Sequence, residues 1–159
     1  MKLTIAGIGK IKEKWMRDGI QEYVTRLTPM AKVQILEQEE EKMPASPSDA
    51  IKEKVMEKEG DKILKYVGAD DFVILLDTSG KELSSPALSE LLQKQMTAGK
   101  SSFVFLIGGP FGNGRNLKQR ADFRLCLSPM TFTHQMTRLI LAEQIYRAMK
   151  IMRHEPYHL

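Results

Sequence analysis

Cysteine is almost missing from this chain of 159 residues: Cys126 stands alone, so no disulfide closes within the chain and a disulfide scaffold is excluded. Its neighbours are apolar, which predicts a buried strand residue rather than a nucleophile. No apolar run approaches the ~18–20 residues of a membrane span. The opening Leu3–Gly9 run is too short, and too soon followed by Lys10, for a signal peptide; a cytoplasmic protein is expected. There is no internal repeat, no low-complexity tract and no linker long enough to divide the chain. One domain over 1–159 is therefore expected.

Chemical signatures are also scarce. No serine sits in a G-x-S-x-G elbow, which argues against a hydrolase triad. His154 and His158 are four apart, but Pro156 between them breaks the helix that would align them on one face, so no metal is expected there. His134 reads as a cap or surface residue more readily than as a base.

What is present alternates. Apolar runs at Leu3–Ile8, Val33–Leu36, Phe72–Leu76, Phe103–Ile107 and Arg124–Leu127 have strand length. Helical spacing occupies Lys12–Leu27 (with Trp15, Met16, Ile20 and Tyr23 inward), a stretch after the capping-box-like Ser46-Pro47-Ser48-Asp49, a stretch from Ser85-Pro86 to Gly99, and Thr133–Met152. A short turn of helix is expected over Leu117–Phe123, and a turn at Asp77-Thr78-Ser79-Gly80. Strands separated by helices predict a single-domain α/β fold: a mostly parallel five-stranded sheet with helices on both faces. Such sheets bind ligands at the strands' carboxyl ends. Leu76–Gly80, Ile107–Gly114 and Leu127–Phe132 are the segments expected to meet there.

The segment Gly108-Gly109-x-x-Gly112-x-Gly114 follows the most hydrophobic strand. No Gly-Lys-Ser/Thr follows it, and Leu117 stands where a dinucleotide fingerprint needs its third glycine. It reads either as a loop whose backbone approaches a ligand closely or as a tight turn. Charge is unevenly spread. From Asn113 to Leu159 there are eight Lys/Arg against three Asp/Glu, a net +5, while the remainder is close to neutral. A polyanionic partner is expected, nucleic acid first.

These motifs resemble a known family when taken in order. Leu106-Ile107-Gly108-Gly109-Pro110-x-Gly112 is similar to the glycine loop of SPOUT methyltransferases, whose C-terminal region forms a trefoil knot. Leu127-Ser128-Pro129-Met130-Thr131-Phe132-Thr133-His134, with Arg138 and Glu143-Gln144-x-Tyr146-Arg147-Ala148, resembles the cofactor loop and knot helix of the bacterial 23S rRNA pseudouridine-N3 methyltransferases. The opening Met1-Lys2-Leu3 and the tail Pro156-Tyr157-His158 match as well. Phe111 stands where that family often has an acid, and the chain stops at Leu159 where an arginine often follows, so neither role is carried over.

The resemblance implies S-adenosylmethionine as cofactor, held by Leu76, Gly108 and the loop Leu127, Ser128, Pro129, Met130, Thr131 and Phe132. It implies a knot over roughly 103–159, a homodimer, and 23S rRNA in the ribosome as partner. Arg138, Tyr157 and His158 are expected beside the target base, and Arg115, Lys118 and Arg120 on RNA backbone. The last helix carries an apolar stripe that is expected to be too broad for one core face, its surplus covered by a second subunit. A non-catalytic RNA-binding module and an α/β enzyme using another nucleotide or flavin at the same edge remain as alternatives.

Overall fold

A computed structural model describes residues 1–159. The element order is β1 (Lys2–Ile8), α1 (Lys14–Leu27), β2 (Lys32–Gln38), α2 (Asp49–Leu64), β3 (Phe72–Glu82), α3 (Ser85–Thr97), β4 (Ser102–Ile107), α4 (Arg115–Arg120), β5 (Phe123–Cys126) and α5 (His134–Met152). Three helices start on a hydroxyl cap: Ser48 accepts from Ile51 N, Ser84 from Ala87 N and Thr133 from Met136 N. The cap of α2 is thus Ser48 rather than Ser46, with Pro47 before the helix rather than inside it. Helix α4 begins at Arg115, two residues before the expected start, because Gly114 already has the extended backbone of an N-cap.

The sheet order is β2-β1-β4-β3-β5 and every pairing is parallel. Period-two alternation sends residues to two layers. Leu3, Ile5, Ile74, Phe103 and Phe105 pack with α1, α3 and α5. Ala6, Ile8, Val73, Leu75, Val104 and Leu106 pack with Ile63 of α2 and Leu117 of α4. Each of the Leu, Ile, Val and Phe side chains contributes about 1.5–3 kcal/mol on full burial. No helix is long and apolar enough to cross a membrane.

Helix α5 lies between α1 and α3, and none of its residues is exposed. Leu139 meets Gly19 of α1, where a Cβ would stand 3.0 Å away. On the other flank Ser89 donates to Ala148 O (2.8 Å) and Ser85 to Gln144 (2.6 Å). Two flanking helices of the same chain therefore absorb much of the breadth of the apolar stripe. Trp15, expected inward, is 58% exposed, since Met16 and Ile20 take the buried face of α1.

From the edge strand β5 the chain returns across the carboxyl ends of β3 and β4 to start α5 near β1. Arg138, 2% exposed, then donates Nη2 to Ile8 O (2.6 Å) and reaches Glu37 at 3.4 Å. Gly7 makes room for it, because a Cβ there would lie 2.5 Å from Arg138 Nε. This crossing brings residues 127–133 over the ends of the central strands.

Candidate active site

The three segments singled out by position do converge. Leu76–Ser79, Ile107–Asn113 and Leu125–Ser128 wall a cleft of about 990 Å³ at the carboxyl edge of the sheet, closed by Met130–His134 and the start of α5. Of the eight expected cofactor positions, Leu76, Gly108, Leu127, Ser128, Met130, Thr131 and Phe132 line it. Pro129 does not; it is exposed in the bend of the loop. Ser128 fixes that bend by accepting from Met130 N at 3.0 Å. Phe111, Met130 and Phe132 form an exposed apolar rim, at 48%, 76% and 36%.

The glycine loop is held to β3 through Asn113, whose Nδ2 donates to Leu76 O at 2.8 Å. Gly112, at φ +106°, folds the loop so that its N–H reaches Gly109 O at 3.1 Å. A Cβ at Gly108 would overlap Asn113 Oδ1 and lie 2.7 Å from Gly112 O. Asn113 Oδ1 is itself buried and receives no hydrogen bond within the chain. The cleft thus combines apolar walls, loop backbone and two buried polar atoms without a partner, Asn113 Oδ1 and His134 Nε2.

Two cleft residues were passed over in the sequence. Asp77, 8% exposed, accepts from Ser79 N (3.0 Å) and Ser79 Oγ (2.9 Å), with Arg124 Nη1 at 3.4 Å. The available signal is a lone acid directly after an apolar parallel strand, in a segment whose composition is that of a turn. Asn113 carried no signal beyond its place among glycines. His134, expected as a cap or surface residue, is half-buried instead. Its ring lies in the cleft wall, with an unpartnered Nε2 standing 3.6 Å from Glu40 Oε1. Burial, with Arg138 beside it, pushes its pKa below the ordinary value, so the ring is neutral at pH 7.

The remaining expected residues are not gathered in this cleft. Arg138 lies behind it, in the bonds to β1 and β2 already described. Tyr157 and His158 lie past the far end of α5, about 27 Å of helix from its start at ~1.5 Å per residue. There Tyr157 donates to Glu143 at 3.0 Å and packs edge-on to Tyr146, ring centroids 4.7 Å apart, while His158 Nδ1 is 3.2 Å from Arg147. Burial of Tyr157 and its bond to Glu143 push its phenol pKa well up. Lys118 lines the cleft and, like Arg115, forms no ion pair. Arg120 is committed elsewhere: Nη2 donates to Gly68 O (2.8 Å) and Asp71 O (3.0 Å), and Nη1 meets Asp122.

Comparison with known proteins adds to this geometry. Residues 1–158 match a family model described as "Predicted SPOUT methyltransferase". The chain is 46% identical over 158 residues to the ribosomal RNA large subunit methyltransferase H of Carboxydothermus hydrogenoformans, and 48% to that of Alkaliphilus oremlandii. In both cases 99% of each chain is covered. Among solved structures it resembles a "probable methylase family protein" from Haemophilus influenzae Rd KW20, with a TM-score of 0.55 at 11% identity, over 99% of this chain and 70% of that one.

Proposed function

The chain belongs to the SPOUT methyltransferase family, and on that premise we propose that it methylates N3 of a pseudouridine in 23S ribosomal RNA, with S-adenosylmethionine as methyl donor. The observation that carries this reading is the cleft at the carboxyl edge, walled by Leu76, the glycine loop and Leu127–Ser128, with Asn113 Oδ1 buried and lacking a donor. The fit to the cofactor is good on both counts. An adenosyl group offers a flat apolar face to Leu76, Leu127 and Phe132 and hydrogen-bond donors at its edge for an acceptor such as Asn113 Oδ1. When bound, the cofactor supplies an electrophilic methyl group on a sulfonium.

The chain's own task is then to hold a base nitrogen in line with that methyl group and to exclude water. Leu76, Gly108 and the loop Leu127–Phe132 fix the donor side. On the base side, His158 is the group of the tail able to accept the N3 proton. Tyr157 offers a ring to stack on the base. The length of α5 separates these two from the cleft of their own chain, so the reading requires a homodimer in which the partner's tail completes the site. Arg138, behind the wall, acts through its hold on the start of α5. The return of residues 127–133 over β3 and β4 supports the trefoil knot of the family, over roughly 103–159. Arg115 and Lys118 lie free for RNA backbone, and a cytoplasmic enzyme acting on the ribosome follows from this substrate.

The test is label transfer from methyl-labelled cofactor to 23S rRNA offered as free RNA, large subunit and whole ribosome, alongside sedimentation at micromolar concentration. Label in the rRNA of at least one substrate and a dimer are expected. A catalytically silent protein, or a monomer that turns over fully, overturns the reading.

A further inference from the structure

The one irregularity of the sheet lies beside the cleft. Strand β3 pairs with β5 in two registers, with a shift between Leu76 and Lys81, so residues 77–80 bulge from the ladder. Bulges recur next to active sites, where they re-aim side chains. Gly80 permits this one: a Cβ there would lie 2.7 Å from the carbonyl carbon and oxygen of Arg124. The bulge is a wall between two concavities. Asp77, Thr78 and Ser79 face the cleft, while Ser79, Gly80 and Lys81 line a second pocket of about 350 Å³. Ser79 and Lys118 border both.

The second pocket is lined by mostly cationic charged groups. Lys81, Lys118 and Arg124 line it against a single acid, Asp122. Asp122 Oδ2 is already occupied by Val73 N–H (2.8 Å) and Arg120 (3.3 Å). Lys81 and Lys118 form no ion pair, and Arg124 has only the 3.4 Å approach to Asp77. A nucleotide whose base enters the cleft carries a phosphate on each side of its ribose, so the strand must leave the cleft as a charged backbone. We infer that this pocket seats one backbone phosphate of the RNA strand adjoining the target nucleotide, with Lys81 as its principal cation. The inference rests on the proposed RNA substrate and adds a subsite to it. Lysines act here as point charges that fix register without reading sequence.

The experiment compares Lys81→Gln and Lys81→Arg with the wild-type protein, using a single-stranded rRNA fragment that spans the target and measuring affinity against salt. Lys54→Gln, an exposed lysine on α2, is the control. For Lys81→Gln the salt slope should fall by about 0.7, the value for one phosphate contact on a single strand. RNA affinity should fall roughly threefold or more, KM for RNA should rise with kcat held, and cofactor affinity and thermal midpoint should be unchanged. Lys81→Arg should restore the slope. If wild-type protein binds and methylates RNA while Lys81→Gln keeps its affinity and slope, the subsite is refuted and the enzyme reading stands. If wild-type protein neither binds nor methylates RNA, the substrate reading falls and the subsite falls with it.

Discussion

Gly108→Ala tests the cleft with one methyl group. The added Cβ overlaps Asn113 Oδ1 and lies 2.7 Å from Gly112 O. Asn113 cannot simply swing aside, because its Nδ2 is bonded to Leu76 O. Either that bond breaks, at about 0.5–1.5 kcal/mol, or the loop backbone moves, at the ~1–3 kcal/mol typical of overpacking. These alternatives place the loss of stability at about 0.5–3 kcal/mol by urea unfolding. A displaced loop no longer presents its cradle, so S-adenosylmethionine affinity by calorimetry should fall at least ~10-fold, about 1.4 kcal/mol. Valine adds bulk to the same collision and unsettles the loop further, which makes alanine the sharper probe. Asn113→Ala removes one colliding partner. The double variant should therefore lose less than the sum of the singles, a coupling of about 0.5 kcal/mol or more. Wild-type cofactor affinity in Gly108→Ala, or strict additivity in the cycle, would refute the reasoning.

Deleting Pro156–Leu159 should lower methyl transfer by at least ~100-fold, the low end for a positioned proton-transfer group, while cofactor affinity holds. It should also cost some stability, since Tyr157 packs on Tyr146 and bonds Glu143; full turnover in the truncated enzyme would place the chemistry elsewhere. Arg138→Ala should destabilise the fold by about 2–4 kcal/mol in urea, because Ile8 O and Glu37 lose a buried donor; a large loss of activity without a stability change would instead make Arg138 a catalytic group. Glu59, 3% exposed, has its pKa pushed up by burial, so the native state holds its proton more tightly than the unfolded chain does. Its contribution is full below the ordinary glutamate value near 4.5 and is lost as pH rises through the raised one. Glu59→Gln should accordingly gain stability over wild type from pH 4.5 toward neutrality in thermal melts, and parallel pH profiles would refute this.

Apolar runs of four to six residues were enough to place all five strands, because strands buried in a parallel sheet read as near-continuous hydrophobic sequence. The same signal points to the ends of β3, β4 and β5, where the structure has its cleft. Residues 77–80 have the composition of a turn; that β3 resumes beyond them depends on pairing with β5, which local sequence does not encode. The breadth of the α5 stripe suggested a second subunit, but half-buried positions facing α1 and α3 look the same in sequence as positions facing a partner. Charge counting included Arg120 among the RNA contacts, yet its guanidinium closes the loop at Gly68 and Asp71, a tertiary commitment invisible to composition. Trp15 has helical spacing but falls just off the buried arc.

The most direct test of the central claim is to identify the product nucleoside. 23S rRNA from cells lacking this methylation is treated with the enzyme and S-adenosylmethionine, then digested to nucleosides and analysed by mass spectrometry. The account predicts a single methyl group on N3 of a pseudouridine, and no product when that position carries uridine. A methyl group on another atom, or equal methylation of uridine, would contradict it.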